Sequence, residues 1–269
     1  MPEGPECRRI ADSLAKYVSG KTLNSINILS GRYVSKKPTG FSQITSNAPI
    51  GVVGVGVHGK FIYWILREEY SIWNTLGMTG SWRTEETPHA RVSFDFTDGS
   101  KIYFTDQRNF GTIKFIKGKH MLIEKLKSLG PDMLAEDVTD KKFIDCMRAK
   151  NNHNICKALM DQSVVCGVGN YIKSDSLWYA RVNPNKAVNE LTDEELSKLN
   201  ISIKQVIRES FKTGGSTIGV YSDDEDDSDD YYSRFLVYNR KVDPDGNPIL
   251  KETTPDGRTT FWSPRTQIK

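Results

Sequence analysis

Residues 60–76 read KFIYWILREEYSIWNTL: two runs rich in β-branched and aromatic side chains, 60–66 and 71–76, parted by a short charged segment. Apolar runs of that length between turn signals read as strands. The same pattern recurs at 22–28, 51–57, 91–96, 101–104 and 112–115, with turns at Asp98-Gly99 and near Gly59 and Gly77. Seven short strands so spaced predict a β-sandwich or barrel. From about residue 119 the period becomes helical, and Met121, Leu122, Leu126 and Leu129 share a face that Gly130-Pro131 ends. Thr139-Asp140 opens another helix, 152–160 gives a third, and 171–180 follows. In Leu191-Thr192-Asp193-Glu194-Glu195, Thr192 and Glu195 stand in capping-box order. The helix they start runs to about Thr213 and stops at Gly214-Gly215. A hairpin with Pro- and Gly-rich turns is predicted from Arg234 to Gln267. The fold class is α+β and multi-domain: 2–118 β-rich, 119–215 helical, 216–233 an acidic loop, and 234–269 the hairpin.

With 269 residues the chain is long enough for more than one core, and 37% hydrophobic with 10% aromatic residues suits a globular protein. No apolar run approaches the roughly 18 residues of a membrane span, and the N-terminus lacks a signal-peptide layout. A protein of a reducing compartment is expected, because Cys7, Cys146, Cys156 and Cys166 show no CxxC spacing and no disulfide framework. The formal charge is +3, yet SDDEDDSDD at 222–230 holds seven acidic residues, so the rest of the chain carries +10. Such a basic remainder suits a polyanionic partner.

The N-terminal Met1-Pro2-Glu3-Gly4-Pro5-Glu6 carries the chemistry. With Met1 removed, Pro2 presents a free secondary amine, and free α-amines titrate near pH ~8, so part of the population is nucleophilic. Attack on an aldehyde-level carbon gives an iminium ion, the strategy of Schiff-base lysines moved to the chain terminus. Glu3 is a candidate general acid/base, and Glu6 is a second carboxylate. Pro5 suits a first helical turn, with Ile10, Leu14 and Val18 on one face. Glu3 and Glu6 would then lie at that helix's positive end. The same residues also read as a capped helix with ordinary acids.

Gly167-Val168-Gly169-Asn170-Tyr171 is the second informative stretch. Glycines before a helix let backbone N–H groups approach a phosphate, or simply make a tight turn. Lys157 is either a further phosphate contact or a solvated lysine.

Taken together, these motifs strongly resemble the formamidopyrimidine-DNA glycosylase / endonuclease VIII family. The matching segments are Pro2-Glu3-Gly4-Pro5-Glu6, Gly59-Lys60, Leu76-Gly77-Met78-Thr79-Gly80 and Asp106-Gln107-Arg108-Asn109-Phe110-Gly111. Further on come Lys157-Ala158-Leu159-Met160-Asp161-Gln162, Gly167-Val168-Gly169-Asn170 and Gly214-Gly215-Ser216-Thr217. Val237-Tyr238-Asn239-Arg240-Lys241 and Gly257-Arg258-Thr259-Thr260 complete the series in family order.

The resemblance implies an N-terminal β-sandwich with a catalytic N-terminal helix, a helical helix–two-turn–helix domain and a C-terminal hairpin, with DNA in a basic cleft. It implies that Pro2 attacks C1′ of a damaged nucleotide and that Glu3 protonates the ring oxygen. Lys60 matches the β-elimination lysine, which would otherwise read as a surface residue at a strand start. Arg258 matches the hairpin arginine that grips phosphates and serves δ-elimination, and Asn170 matches the phosphate-binding asparagine. Two such grips suit an enzyme that flips its target base. Met78, Arg108 and Phe110 match the trio that fills the void, as adaptable wedge, donor to the orphaned base and intercalating ring. Without the resemblance, Met78 and Phe110 read as core residues. His89 stands where relatives place a DNA-contacting histidine, or is structural.

Three departures matter. Most bacterial members bind zinc through four hairpin cysteines, but Pro244-Asp245-Gly246-Asn247-Pro248 and Ser263-Pro264-Arg265-Thr266 stand there instead. No cysteine follows Cys166, so a thiolate zinc site is excluded. The hairpin resembles the zincless finger of endonuclease VIII-like 1 and of plant and giant-virus relatives, and strand pairing with packing of Val237, Ile249 and Trp262 is expected to replace the metal. Asp175 stands where glutamate is usual, which predicts a weakened backbone contact. The acidic run would repel phosphates, which argues against efficient 8-oxoguanine recognition.

The expected function is a bifunctional DNA glycosylase and apurinic/apyrimidinic lyase of base-excision repair, acting on oxidised pyrimidines, formamidopyrimidines and hydantoins by β,δ-elimination. No cofactor or metal is implied. The expected partner is duplex damaged DNA, with single strands a second form, bound by a monomer not associated with membranes. Such a protein is expected in a nucleus, in bacterial cytosol or nucleoid, or in a viral factory, and not secreted. The alternatives are a non-catalytic damaged-DNA-binding protein and a lyase with little glycosylase activity.

Overall fold

The computed structural model describes residues 2–214 and 235–268. The acidic run 222–230, Gly215-Ser216-Thr217 and Arg234 lie outside the described residues. The chain divides into two compact units: Pro2 with Glu6–Ser128, and Glu3–Pro5 with Leu129–Gly214 and 235–268.

In the first unit, α1 (Gly4–Val18) precedes a sheet of eight antiparallel strands. They are β1 (Thr22–Ile28), β2 (Ile50–His58), β3 (Phe61–Leu66), β4 (Tyr70–Thr75), β5 (Gly80–Arg83), β6 (Ala90–Phe96), β7 (Lys101–Asp106) and β8 (Thr112–Lys117). Their order is β5-β7-β6-β1-β2-β3-β4-β8. β1 and β2 share only two paired positions, Thr22 with Gly51 and Leu23 with Ile50. That narrow joint parts the sheet into two four-stranded halves. Trp64 of β3 meets Trp82 of β5 and Phe94 of β6 at 5.3 Å between ring centroids. The two halves thus face one another across a shared core, the arrangement of a sandwich. Ile10, Leu14 and Val18 of α1 enter the same core, as the helical spacing predicts. So do Tyr33 of α2 (Arg32–Ser35) and Ile44 of α3 (Phe41–Thr45). The sequence predicts neither short helix, nor β5, whose four residues are too few to show a period. α4 (Lys119–Lys127) closes the unit.

The second unit is built on α7 (Asn170–Tyr179), in which every residue from Asn170 to Leu177 is buried. A helix buried all round must be wrapped by its neighbours. These are α6 (Ile155–Met160) and α8 (Asp193–Thr213), with α5 (Asp140–Arg148) packed against α8. Local chemistry fixes their starts. Thr139 accepts the Lys142 N–H to cap α5, and Asn154 accepts the Cys156 N–H to cap α6. Thr192 and Glu195 form the reciprocal capping box of α8. Among the described residues of the C-terminal segment, β9 (Leu250–Thr253) and β10 (Thr259–Trp262) pair regularly, and Val242 bridges Pro248. That segment packs on α7 through rings: Tyr171 lies 5.0 Å from Phe235 and 6.4 Å from Tyr238, which in turn lies 5.0 Å from Phe261.

Candidate active site

Glu3 stands immediately before α1, and Glu6 in its first turn, at the positive end where their positions predict them; Glu3 also serves a second helix. It is 1% exposed, and its carboxylate accepts the backbone N–H groups of Tyr171 at 2.9 Å and Ile172 at 3.3 Å. The anion therefore caps the N-terminus of α7, where orphaned N–H groups and the helix dipole meet it. The glycine pair makes this possible. A Cβ on Gly169 would lie 2.1 Å from the Glu3 Cδ, and Gly167 has φ +93°. Gln162 pins the loop from behind, its Oε1 accepting the Gly167 N–H and its Nε2 donating to the Val168 carbonyl. Gly4 N–H donates to the Gly167 carbonyl at 2.9 Å. Those glycines, expected to admit a phosphate, admit the protein's own carboxylate.

On the next face of α7, Asn170 Nδ2 donates to the Thr259 carbonyl at 2.9 Å, while its buried Oδ1 has no protein partner. Lys173, one turn on, donates to Asp256 at 2.7 Å. Thr259 and Asp256 flank Arg258, whose side chain is exposed at the hairpin turn. The turn is tight: Thr254 N–H donates to the Arg258 carbonyl, Gly257 has φ +73°, and the Thr254 and Thr260 hydroxyls lie 2.6 Å apart. Sequence reasoning assigned nothing to Lys173 or Asp256, because nothing in the letters marks a lysine as buried.

The segments that stand where relatives carry zinc ligands are tied by a carboxylate. Asp243 accepts the N–H groups of Asp245 at 3.0 Å and Asn247 at 2.7 Å, the Thr266 hydroxyl at 2.8 Å and the Trp178 indole at 3.2 Å. Those hydrogen bonds hold its carboxyl well below the usual carboxylate range against the cost of burial. With its oxygens so occupied and no thiolate near, the residues do not fit a zinc site. Val237 and Trp262 are buried as expected, whereas Ile249 is only half-buried. The expectation for Asp175 is also corrected. Its carboxylate accepts the N–H groups of Leu236, Val237 and Tyr238 at 3.0–3.1 Å, so the shorter side chain makes the backbone contact in full. Complete burial nevertheless raises its pKa from 3.8 to about 6.

The first unit holds Pro2, Glu6 and Lys60. Pro2 is buried, and Glu6, also buried, pairs with Arg9 at 3.2 Å. Lys60 is half-buried in the turn between β2 and β3, where Gly59 adopts φ +57°. Asp106 brings the other expected residues of this unit together. Its carboxylate accepts the Thr79 hydroxyl at 2.5 Å and the Gly111 N–H at 2.7 Å, and Thr79 in turn accepts the Arg108 N–H. The loops bearing Met78, Arg108 and Phe110 are thereby fastened to each other. Asn109 turns the chain with φ +56°, a conformation asparagine tolerates. Phe110 is 55% exposed, with the Arg108 guanidinium 4.8 Å from its ring centroid. It is no core residue. Met78 is half-buried, as is His89, while Lys157 is exposed on α6.

A family model for the formamidopyrimidine-DNA glycosylase N-terminal domain matches residues 1–113, and one for the H2TH domain of the same enzymes matches 129–222. The class so defined is that of the DNA glycosylases. Formamidopyrimidine-DNA glycosylase of Shouchella clausii is 30% identical over 278 residues, covering 99% of each chain. That of Bacillus subtilis is 30% identical over 279 residues and covers all of both. Wild-type Lactococcus lactis Fpg, solved with DNA containing an oxidised pyrimidine, matches all of both chains with TM-score 0.84 at 26% identity. The same enzyme with abasic-site DNA gives TM-score 0.84 at 27% identity over 99% of this chain and 100% of that one. The chain belongs to the formamidopyrimidine-DNA glycosylase family, and is a base-excision-repair glycosylase with lyase activity at abasic sites.

Proposed function

We propose that this enzyme excises oxidised pyrimidines, formamidopyrimidines and hydantoins from DNA through Pro2 and then cuts the strand by β,δ-elimination. The observation that carries the reading is the seating of Glu3 on the N-terminus of α7, because one peptide unit separates it from Pro2. A carboxyl group so fixed is pre-organised for proton transfer beside the nucleophile. The neutral Pro2 nitrogen attacks C1′, the bond from C1′ to the base breaks, and the base leaves with that electron pair. The proton shed by the Pro2 nitrogen passes to Glu3, which delivers it to the ring oxygen as the C1′–O4′ bond opens. The nitrogen lone pair then forms the iminium. Loss of a C2′ proton expels the 3′ phosphate, and a second elimination expels the 5′ phosphate, leaving phosphate on both sides of a one-nucleotide gap.

Lys60 holds a backbone phosphate near the lesion and serves the first elimination; Arg258 and Asn170 grip flanking phosphates. Glu6 is a further carboxylate near Pro2 in sequence, and Lys157 and His89 are outlying DNA contacts. The exposed Phe110, together with Met78 and Arg108, fills the space that the flipped nucleotide leaves. A large exposed ring fastened beside a guanidinium suits a wedge better than a core role. The Lactococcus lactis relative, bound to oxidised-pyrimidine, Fapy-dG and abasic-site DNA, supports the substrate range and a damaged-DNA partner.

Borohydride trapping on abasic-site duplex tests the chemistry. Native enzyme is expected to give a covalent complex and Pro2→Gly none; equal trapping by both would remove Pro2 from the mechanism. A protein that only binds damage would trap in neither form, and one that traps on abasic DNA but releases no modified base would be chiefly a lyase.

A further inference from the structure

We propose that Lys173 is a positioning residue for Arg258, acting through Asp256. The inference rests on the reading of Arg258 as a phosphate grip. Lys173 and Asp256 have side chains 0% and 2% exposed and meet at 2.7 Å. Two ions removed from water are retained only where their geometry is fixed and their remaining valences are met. Here the second Asp256 oxygen accepts the Thr254 hydroxyl at 2.5 Å. Thr254 also binds the Arg258 carbonyl through its N–H at 3.1 Å. The chain of contacts Lys173, Asp256, Thr254, Arg258 carbonyl is therefore continuous.

The second hold comes from the same helix. Asn170, one turn before Lys173, binds the Thr259 carbonyl at 2.9 Å. α7 thus grips the hairpin two residues before Arg258 and one residue after it. Between those points lies Gly257 in the left-handed region, with nothing within 4 Å of where a Cβ would stand. A glycine with open space around it is the most mobile backbone in the turn, so the holds on either side decide where Arg258 points. The same helix carries the Glu3 carboxylate on its first N–H groups. One rigid element thereby sets both a proton-transfer group and a phosphate grip, in keeping with sites built on helices being more exact than sites built on loops.

The test measures how binding to an abasic-analogue duplex falls with salt. Each phosphate contact contributes a slope of about 0.9 in log K against log [salt]. Arg258→Ala is expected to lower the slope by about that amount. Lys173→Met and Asp256→Asn are expected to lower it equally, and to add nothing further when combined with Arg258→Ala. They are also expected to shift lyase products from β,δ towards β alone. Either single change leaves a buried ion alone and risks unfolding the hairpin. Lys173→Met/Asp256→Leu leaves no buried charge, and is expected to melt near the native temperature while still losing the contact. A folded double variant with the native slope and product ratio overturns the proposal, as does a loss that adds to that of Arg258→Ala. If Arg258→Ala itself changes neither slope nor products, the phosphate-grip reading falls, and this role falls with it. If Arg258→Ala weakens binding and the Lys173 variants do not, only the positioning role is lost.

Discussion

A single substitution separates the role that Glu3 is seen to play from the one proposed for it. Its oxygens cap α7, and the proposed mechanism has it carry a proton to the sugar ring oxygen. Glu3→Gln keeps an oxygen to accept the Tyr171 N–H but cannot shuttle a proton. The expected outcome is a protein melting within a few degrees of the native one, with excision slowed about 10²–10⁴-fold, the usual worth of a positioned acid or base. Single-turnover excision beside thermal melting checks both halves. Excision at the native rate would reduce Glu3 to a cap. The pairing of Glu3 with Pro2 was legible in the sequence as adjacent letters, because covalent neighbours cannot be far apart. Its seat on a helix 168 residues away was not, because capping partners are recognisable locally only when they are local. Thr192 with Glu195 is the contrasting case, a cap formed within one turn and predicted from the letters alone.

At the level of elements, the loop before α7 and the C-terminal segment are held by backbone contacts on which the proposed chemistry depends. Gly169→Ala puts a methyl group 2.1 Å from the Glu3 Cδ, so the carboxylate must leave its seat. Overpacking of this kind costs about 1–3 kcal/mol, and excision is expected to fall with it. A melting temperature and rate equal to those of the native enzyme would mean that the N-terminal segment moves aside freely. Asp243→Ala strands the donors of Asp245, Asn247, Thr266 and Trp178. Charge-assisted bonds are worth about 1.5–3 kcal/mol each and are not additive, so a loss of about 3 kcal/mol is expected by denaturant titration. The native enzyme is expected to keep full activity in a chelator. Chelator sensitivity, or an Asp243→Ala variant of native stability, would contradict the carboxylate tie. The missing cysteines were plain in the sequence. That an aspartate takes up the cross-link was hidden, since Asp243 and Thr266 stand 23 residues apart and meet only when the hairpin folds.

Over the whole molecule, two buried carboxylates pull stability in opposite directions with pH. Asp175 titrates near 6 when folded against an ordinary 3.8. Between those values the folded state holds the extra proton, so this contribution is full below about pH 4 and is lost as pH rises through 6. Its size is on the order of 3 kcal/mol. Asp243 has the reverse sign: its folded pKa is depressed, so its contribution is present above about pH 4 and lost on further acidification. In urea titrations the native protein is expected to lose stability from pH 4.5 to 7, and Asp175→Asn is expected to abolish that fall. The same pH slope in both proteins would mean that Asp175 is solvated in solution.

By itself the sequence determined seven of the eight strands of the first unit, the capped helices of the second and the family, because apolar period, cap residues and motif order are written along the chain. It also determined that no thiolate metal could hold the hairpin. Only the tertiary structure decided that Glu3 caps α7, that Asp175 and Asp243 hold the C-terminal segment, that Lys173 is buried against Asp256, and that Phe110 stands out in solvent. Each depends on segments remote in sequence arriving at one place. The chain encodes which groups need a partner; which partner each one finds is settled only when the backbone closes around it.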